Sequence, residues 1–134
     1  MKYSLLCGLA ALTLMASCDK KKDTTCVAGT GGKVAIVTFA KHNGVTIPNY
    51  ESHSDTAYVK FNTLTSPGTN PSAYDTYFVG EAGEDHIHCE DLKCGSYYIY
   101  RTAFDSATNT RYSGGIGINV TQTTGEVDTA IAVN

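Results

Sequence analysis

Residues 84 to 105 read EDHIHCEDLKCGSYYIYRTAFD, and the reading of this stretch decides the fold. In an extended segment Ile87 and Cys89 fall on one face, with His86 and His88 on the other. Leu92, Lys93, Cys94 and Gly95 make a bend, and Ser96 to Phe104 forms a long strand rich in tyrosine. Strand, tight connection, strand is therefore the expected local structure, read as a hairpin. Outward from it, Lys33 to Ala40 (KVAIVTFA) is apolar on both faces, as a strand buried between two layers is. Asn43-Gly44 is a turn signal, and Val45 to Tyr50 follows, with Pro48 favouring an edge. Thr56 to Asn62 alternates, with Ala57, Val59 and Phe61 pointing one way. Residues 66 to 72 (SPGTNPS) form a loop, and Ala73 to Gly80 a further strand. After a polar turn at Ser106 to Thr110, Arg111 to Val120 places Ile116, Ile118 and Val120 at period two. Glu126 to Val133 does the same with Val127, Thr129, Ile131 and Val133. No helical periodicity follows the N-terminal segment. The expected fold is all-β, a seven- to eight-stranded antiparallel Greek-key sandwich.

The N-terminus predicts an export signal. Lys2 precedes an apolar run from Leu5 to Met15, long enough for a signal core and too short to span a bilayer. The run ends in Leu14-Met15-Ala16-Ser17-Cys18, which resembles the bacterial lipobox, where small residues precede a cysteine that is lipidated. An ordinary secretory signal also fits Ala16-Ser17. The expected division is a lipoprotein signal peptide at 1–17, a lipidated Cys18 with a flexible stalk at 18–32, and one β-sandwich domain at 33–134. The net charge is −3, and the chain has no basic cluster apart from Lys20-Lys21-Lys22. Nucleic acid is therefore a poor partner, and the three lysines suit a solvated tether or anionic headgroups.

Two segments carry a family resemblance. Val37, Asn43-Gly44 and Ile47-Pro48-Asn49 resemble the opening of transthyretin-like (prealbumin-like) domains, whose relatives include carboxypeptidase regulatory-like domains and collagen-adhesin repeats. Ile87, Leu92, Gly95, Tyr97 and Ile99 resemble the apolar–Leu–Gly–Tyr–apolar pattern of the same domains. The resemblance implies a transthyretin-like or Ig-like sandwich, and with Cys18 the chain resembles the small lipoproteins of Bacteroidetes-type bacteria. One enzyme of that superfamily, which hydrolyses 5-hydroxyisourate, ends in Tyr-Arg-Gly-Ser. This chain ends in Ala-Ile-Ala-Val-Asn, and Arg111-Tyr112-Ser113-Gly114 holds those residue types in another order and ahead of a strand.

Candidate site residues are few, and none forms a catalytic set. His86 and His88, at i and i+2 on one strand face, are the sharpest metal candidates. A third ligand is sought among His42, His53, Glu51 and Glu84. Zinc or copper is the cofactor this reading would bring; otherwise none is expected. Alternation also requires polar residues opposite Ile87 and Cys89, which accounts for the two histidines without a metal. Of the cysteines after Cys18, a Cys26–Cys94 disulfide is favoured over Cys89–Cys94, with Cys89 suited to a buried free thiol. Nine tyrosines in a chain without tryptophan can furnish a sugar- or protein-binding surface or simply ordinary strand packing. The functional expectation is a non-enzymatic, lipid-anchored accessory binding or structural module. It would sit in a bacterial cell envelope, on the outer membrane facing the periplasm or the exterior, with an envelope protein or glycan as partner. The alternative is a metal-binding envelope protein.

Overall fold

Period-two alternation builds eight strands over residues 25–134, the part of the chain that the computed structural model describes. The expected signal peptide, Cys18 and Lys20 to Lys22 lie outside the described residues. The strands are β1 (Thr30–His42), β2 (Val45–Thr46), β3 (Thr56–Phe61), β4 (Thr76–Val79), β5 (Ile87–Leu92), β6 (Gly95–Asp105), β7 (Thr110–Val120) and β8 (Thr124–Ala132). The segment expected as a strand from Ala73 is shorter. Asn70 caps a turn of 3-10 helix at Pro71–Ala73 by accepting the Ser72 N–H, so the extended chain resumes only at Thr76.

The strands form two sheets. In one, β1 is central, with β5 and the short β2 on one edge and β8 on the other. In the other the order is β4-β3-β6-β7. Inward-facing Ile36, Val59, Ile87, Leu92, Ile99 and Ile131 are almost wholly removed from water and fuse the sheets into one core. An all-β sandwich is thus the observed architecture.

One pair departs from the antiparallel expectation: β8 runs parallel to β1, with Lys33 opposite Thr124 and Lys41 opposite Ala132. The cause is topological. β7 finishes at Val120 opposite Gly95, at the end of the sandwich where β1 begins beside Leu92. A three-residue crossover at 121–123 must then feed β8 in the same direction as β1.

The stretch that decides the fold is also not a hairpin. β5 pairs with β1, whereas β6 pairs with β3 and β7, so Lys93 and Cys94 carry the chain between sheets as an arch. A bulge in β5 prepares this crossing. Ile36 faces Cys89 and Val34 faces Leu92, so three residues of β5 advance against two of β1. Asp91, at φ 54°, absorbs the extra residue, and Leu92 turns inward alongside Cys89.

The described part of the expected stalk is docked, and β1 begins at Thr30 rather than Lys33. Cys26 is bonded to Cys94, as favoured from the sequence, and Cys89 is a buried free thiol. Ala28 is buried against Gly95, where a Cβ would overlap the Ala28 backbone. The Tyr97 hydroxyl accepts the Gly29 N–H at 3.1 Å and donates to the Lys93 carbonyl at 2.6 Å. This sews the segment onto the arch.

Candidate functional site

Parity in β6 sends Tyr97, Ile99, Arg101 and Ala103 inward and Tyr98, Tyr100 and Thr102 outward. Pairing of Tyr58 with Tyr100 on one side and with Tyr77 on the other sets three tyrosines in a row across the outer face. Tyr74, just after the 3-10 turn, adds a fourth ring, with centroids 5.8 Å from Tyr58 and 6.0 Å from Tyr100. Opposite Tyr98 and Tyr100, β7 presents Gly117 and Gly115. A Cβ at Gly115 would overlap the Tyr98 hydroxyl, so that ring lies flat over the strand. Tyr58, Tyr74, Tyr77, Pro71, Ser72 and Asp75 line an open cleft of about 550 Å³. Partial burial works to raise the Asp75 pKa, but the Phe61 N–H at 2.7 Å and Lys60 Nζ at 3.0 Å outweigh it and hold the carboxyl below its ordinary value. Because Asp75 is paired with Lys60, the cleft carries little net charge.

The histidine pair occupies the outer face of the opposite sheet. His86 Nε2 and His88 Nε2 stand 3.0 Å apart with the rings edge to face. His86 Nδ1 is 2.7 Å from Asp85 Oδ1, and His86 Nε2 is 3.4 Å from Glu84 Oε2. Glu81, Glu84 and Glu90 line the adjoining cavity of about 220 Å³. The structure therefore brings Glu84 to His86 and lines one cavity with Glu84 and both histidines, while the carboxylate nearest His88 is Glu126, 3.9 Å from its Nδ1. It does not join the other candidates. His42 stacks on Tyr112 at 4.0 Å, with Nδ1 against the Val133 carbonyl. His53 stacks on Phe104 at 3.7 Å and bonds Ser52, and Glu51 lies exposed in the turn beside it. Both rings serve packing at the strand ends. Among the described residues no group of three or more metal-binding side chains stands ready assembled.

A buried polar network was not singled out from the sequence. Arg101 is fully buried between the sheets. Its guanidinium donates to the Thr38 carbonyl and hydroxyl and, at 3.0 Å, to Asn49 Oδ1. Asn49 in turn donates to the His86 carbonyl at 2.7 Å, and its own N–H donates to the Glu84 carbonyl at 2.7 Å. The network thus fixes the backbone that carries the histidine pair. Burial lowers the Arg101 pKa to about 10, with Asp55 opposing the shift. The available signal was parity: in Tyr97-Ile99-Arg101-Ala103 a charge occupies a core register.

No protein-family model, curated protein or solved structure matches this chain. The two surface features are flat rings with polar tips on one face and a close pair of imidazoles among carboxylates on the other.

Proposed function

We propose that this chain is a lipid-anchored, non-enzymatic binding module of a bacterial cell envelope, and that its ligand is a neutral glycan held in the tyrosine cleft. The observation that supports it best is the set of Tyr58, Tyr74 and Tyr77 lining an open cleft with little net charge, backed by Tyr100 stacked against Tyr58 and Tyr74. Tyrosine rings offer flat apolar area to the C–H faces of a sugar, while hydroxyl tips and the polar wall at Ser72 and Asp75 accept and donate hydrogen bonds. Lys2, the apolar run and Cys18 support the anchor, which would place the domain on the outer membrane, facing the periplasm or the exterior. The finer reading of the fold is a transthyretin-like Greek-key sandwich. It is supported by the burial of Val37, Ile47, Ile87, Leu92, Tyr97 and Ile99, the apolar residues of the two resembling segments.

The test is a glycan array probed with the full chain, followed by titration of any hit against Tyr77→Ala and Tyr74→Ala. Saturable binding that falls about tenfold in both variants is expected, since truncating an aromatic hot-spot contact costs about 2 kcal/mol or more. No hit, or a hit indifferent to both substitutions, would overturn the glycan reading. Acylation is tested separately, by mass spectrometry of Cys18 in the native host.

A further inference from the structure

The outer face of the β1–β5–β8 sheet carries an inference independent of the tyrosine cleft, because the two lie on opposite layers of the sandwich. We infer that His86 and His88 chelate a divalent transition metal of the imidazole-preferring class, zinc or copper, with Glu84 as third protein donor. Two imidazole nitrogens bound to one such ion at about 2.0–2.1 Å stand roughly 3 Å apart. The two Nε2 atoms already stand 3.0 Å apart, so chelation needs no movement of the strand.

Asp85 supplies the orientation. Its Oδ1 accepts a hydrogen bond from the His86 Nδ1–H at 2.7 Å, which leaves the Nε2 lone pair facing His88 and Glu84. A carboxylate behind a histidine ligand fixes its tautomer and raises its basicity. The surroundings favour a cation: Glu81, Glu84 and Glu90 line the cavity, and neither lysine nor arginine is among its lining residues. The backbone on both sides of Asp85 is anchored, since Asn49 holds the carbonyls of Glu84 and His86 and is itself held by Arg101. What is preassembled is the pair of imidazoles; the Glu84 side chain closes the site by rotating about its own bonds, and water fills the remaining positions. Oxygen-preferring calcium and magnesium are poor occupants of a site built on two imidazoles.

The experiment is calorimetric titration of the untagged, disulfide-intact full chain with Zn²⁺ and with Cu²⁺ alone, using Ca²⁺ as control. Saturable one-to-one binding of zinc and copper is expected, with little response to calcium. His88→Ala is expected to weaken binding about tenfold or more and Glu84→Gln to weaken it less, whereas His42→Ala and His53→Ala leave it unchanged. Circular dichroism verifies that each variant is folded. The Cu²⁺ paramagnetic resonance spectrum adds a structural readout: coupling to two nitrogens in the wild type and to one in His88→Ala. Unsaturable binding, calcium competing as well as zinc, or affinities that ignore His86 and His88 would each overturn the site.

Discussion

At Asp55 and Arg101 single residues set the electrostatics of the core. Both are fully buried, and Asp55 Oδ2 and Arg101 Nε have no hydrogen-bond partner. Burial raises the Asp55 pKa, against the Phe104 N–H bond at 2.9 Å and the charges of Arg101 and Arg111, which lower it. The sign of the linkage follows. A carboxyl whose pKa is raised on folding binds more protons folded than unfolded just above the ordinary carboxylate range. Its charge is therefore a penalty fully present above the folded pKa, shrinking as pH falls through it and absent below the unfolded one. Replacing Asp55 with Asn keeps an acceptor for the Phe104 N–H and removes the titration. The stability difference, wild type minus Asp55→Asn, is expected to grow as pH is lowered from about 7 to about 4.5, as read by urea midpoints. A difference independent of pH would mean that Asp55 keeps an unshifted carboxyl. Nothing in the residue types announced this pair; only the register of β6 placed Arg101 inside.

Among the elements, the arch between β5 and β6 matters most. The Cys26–Cys94 bond ties its tip to the segment ahead of β1, across 68 residues of sequence. On the chain-entropy estimate a loop of that length is worth roughly 4 kcal/mol. Cys26→Ser is expected to lower unfolding stability by about that amount, and a reducing agent to do the same to the wild type, as measured by denaturant midpoint. An unchanged midpoint would show that the docked segment contributes through packing alone. Cys89 is the internal control, because burial pushes its thiol pKa up to about 12. It is expected to resist thiol reagents until the chain is denatured. The strands themselves were legible, since Ala57, Val59, Ile87, Cys89, Tyr97 and Ile99 are buried where alternation puts them. Alternation alone does not place Leu92 inward, where the resemblance puts it: its parity is opposite to that of Cys89, and the bulge at Asp91 reverses it. A bulge is chosen by how two strands meet, which a single strand's pattern does not encode.

At the scale of the whole molecule, the last residues close the sandwich. Ile131 and Val133 are fully buried. Asn134 exchanges two backbone hydrogen bonds with Ser113 of the other sheet, and the Val133 N–H bonds the Lys41 carbonyl at 2.9 Å. Burial of Ile and Val side chains contributes about 1.5–3 kcal/mol each, a large part of the 5–15 kcal/mol that holds a domain together. Deleting residues 131–134 is therefore expected to abolish cooperative thermal unfolding, while deleting Asn134 alone lowers the melting temperature by only a few degrees. A four-residue deletion that melted like the full chain would show that the two layers hold without this clip.

The sequence by itself determined the all-β class and most strand positions, because side-chain alternation is a local property; it favoured Cys26–Cys94 over Cys89–Cys94, and the tertiary structure decided between them. Which strands share a sheet, the parallel sense of β8 and the company kept by each histidine were decided only in three dimensions. Those depend on where distant segments finish relative to one another. His86 meets Glu84 and His88 because Asn49 and Arg101 hold that loop in place, while His42 and His53 are drawn to Tyr112 and Phe104 by the stacking of rings that no spacing in the chain foretells.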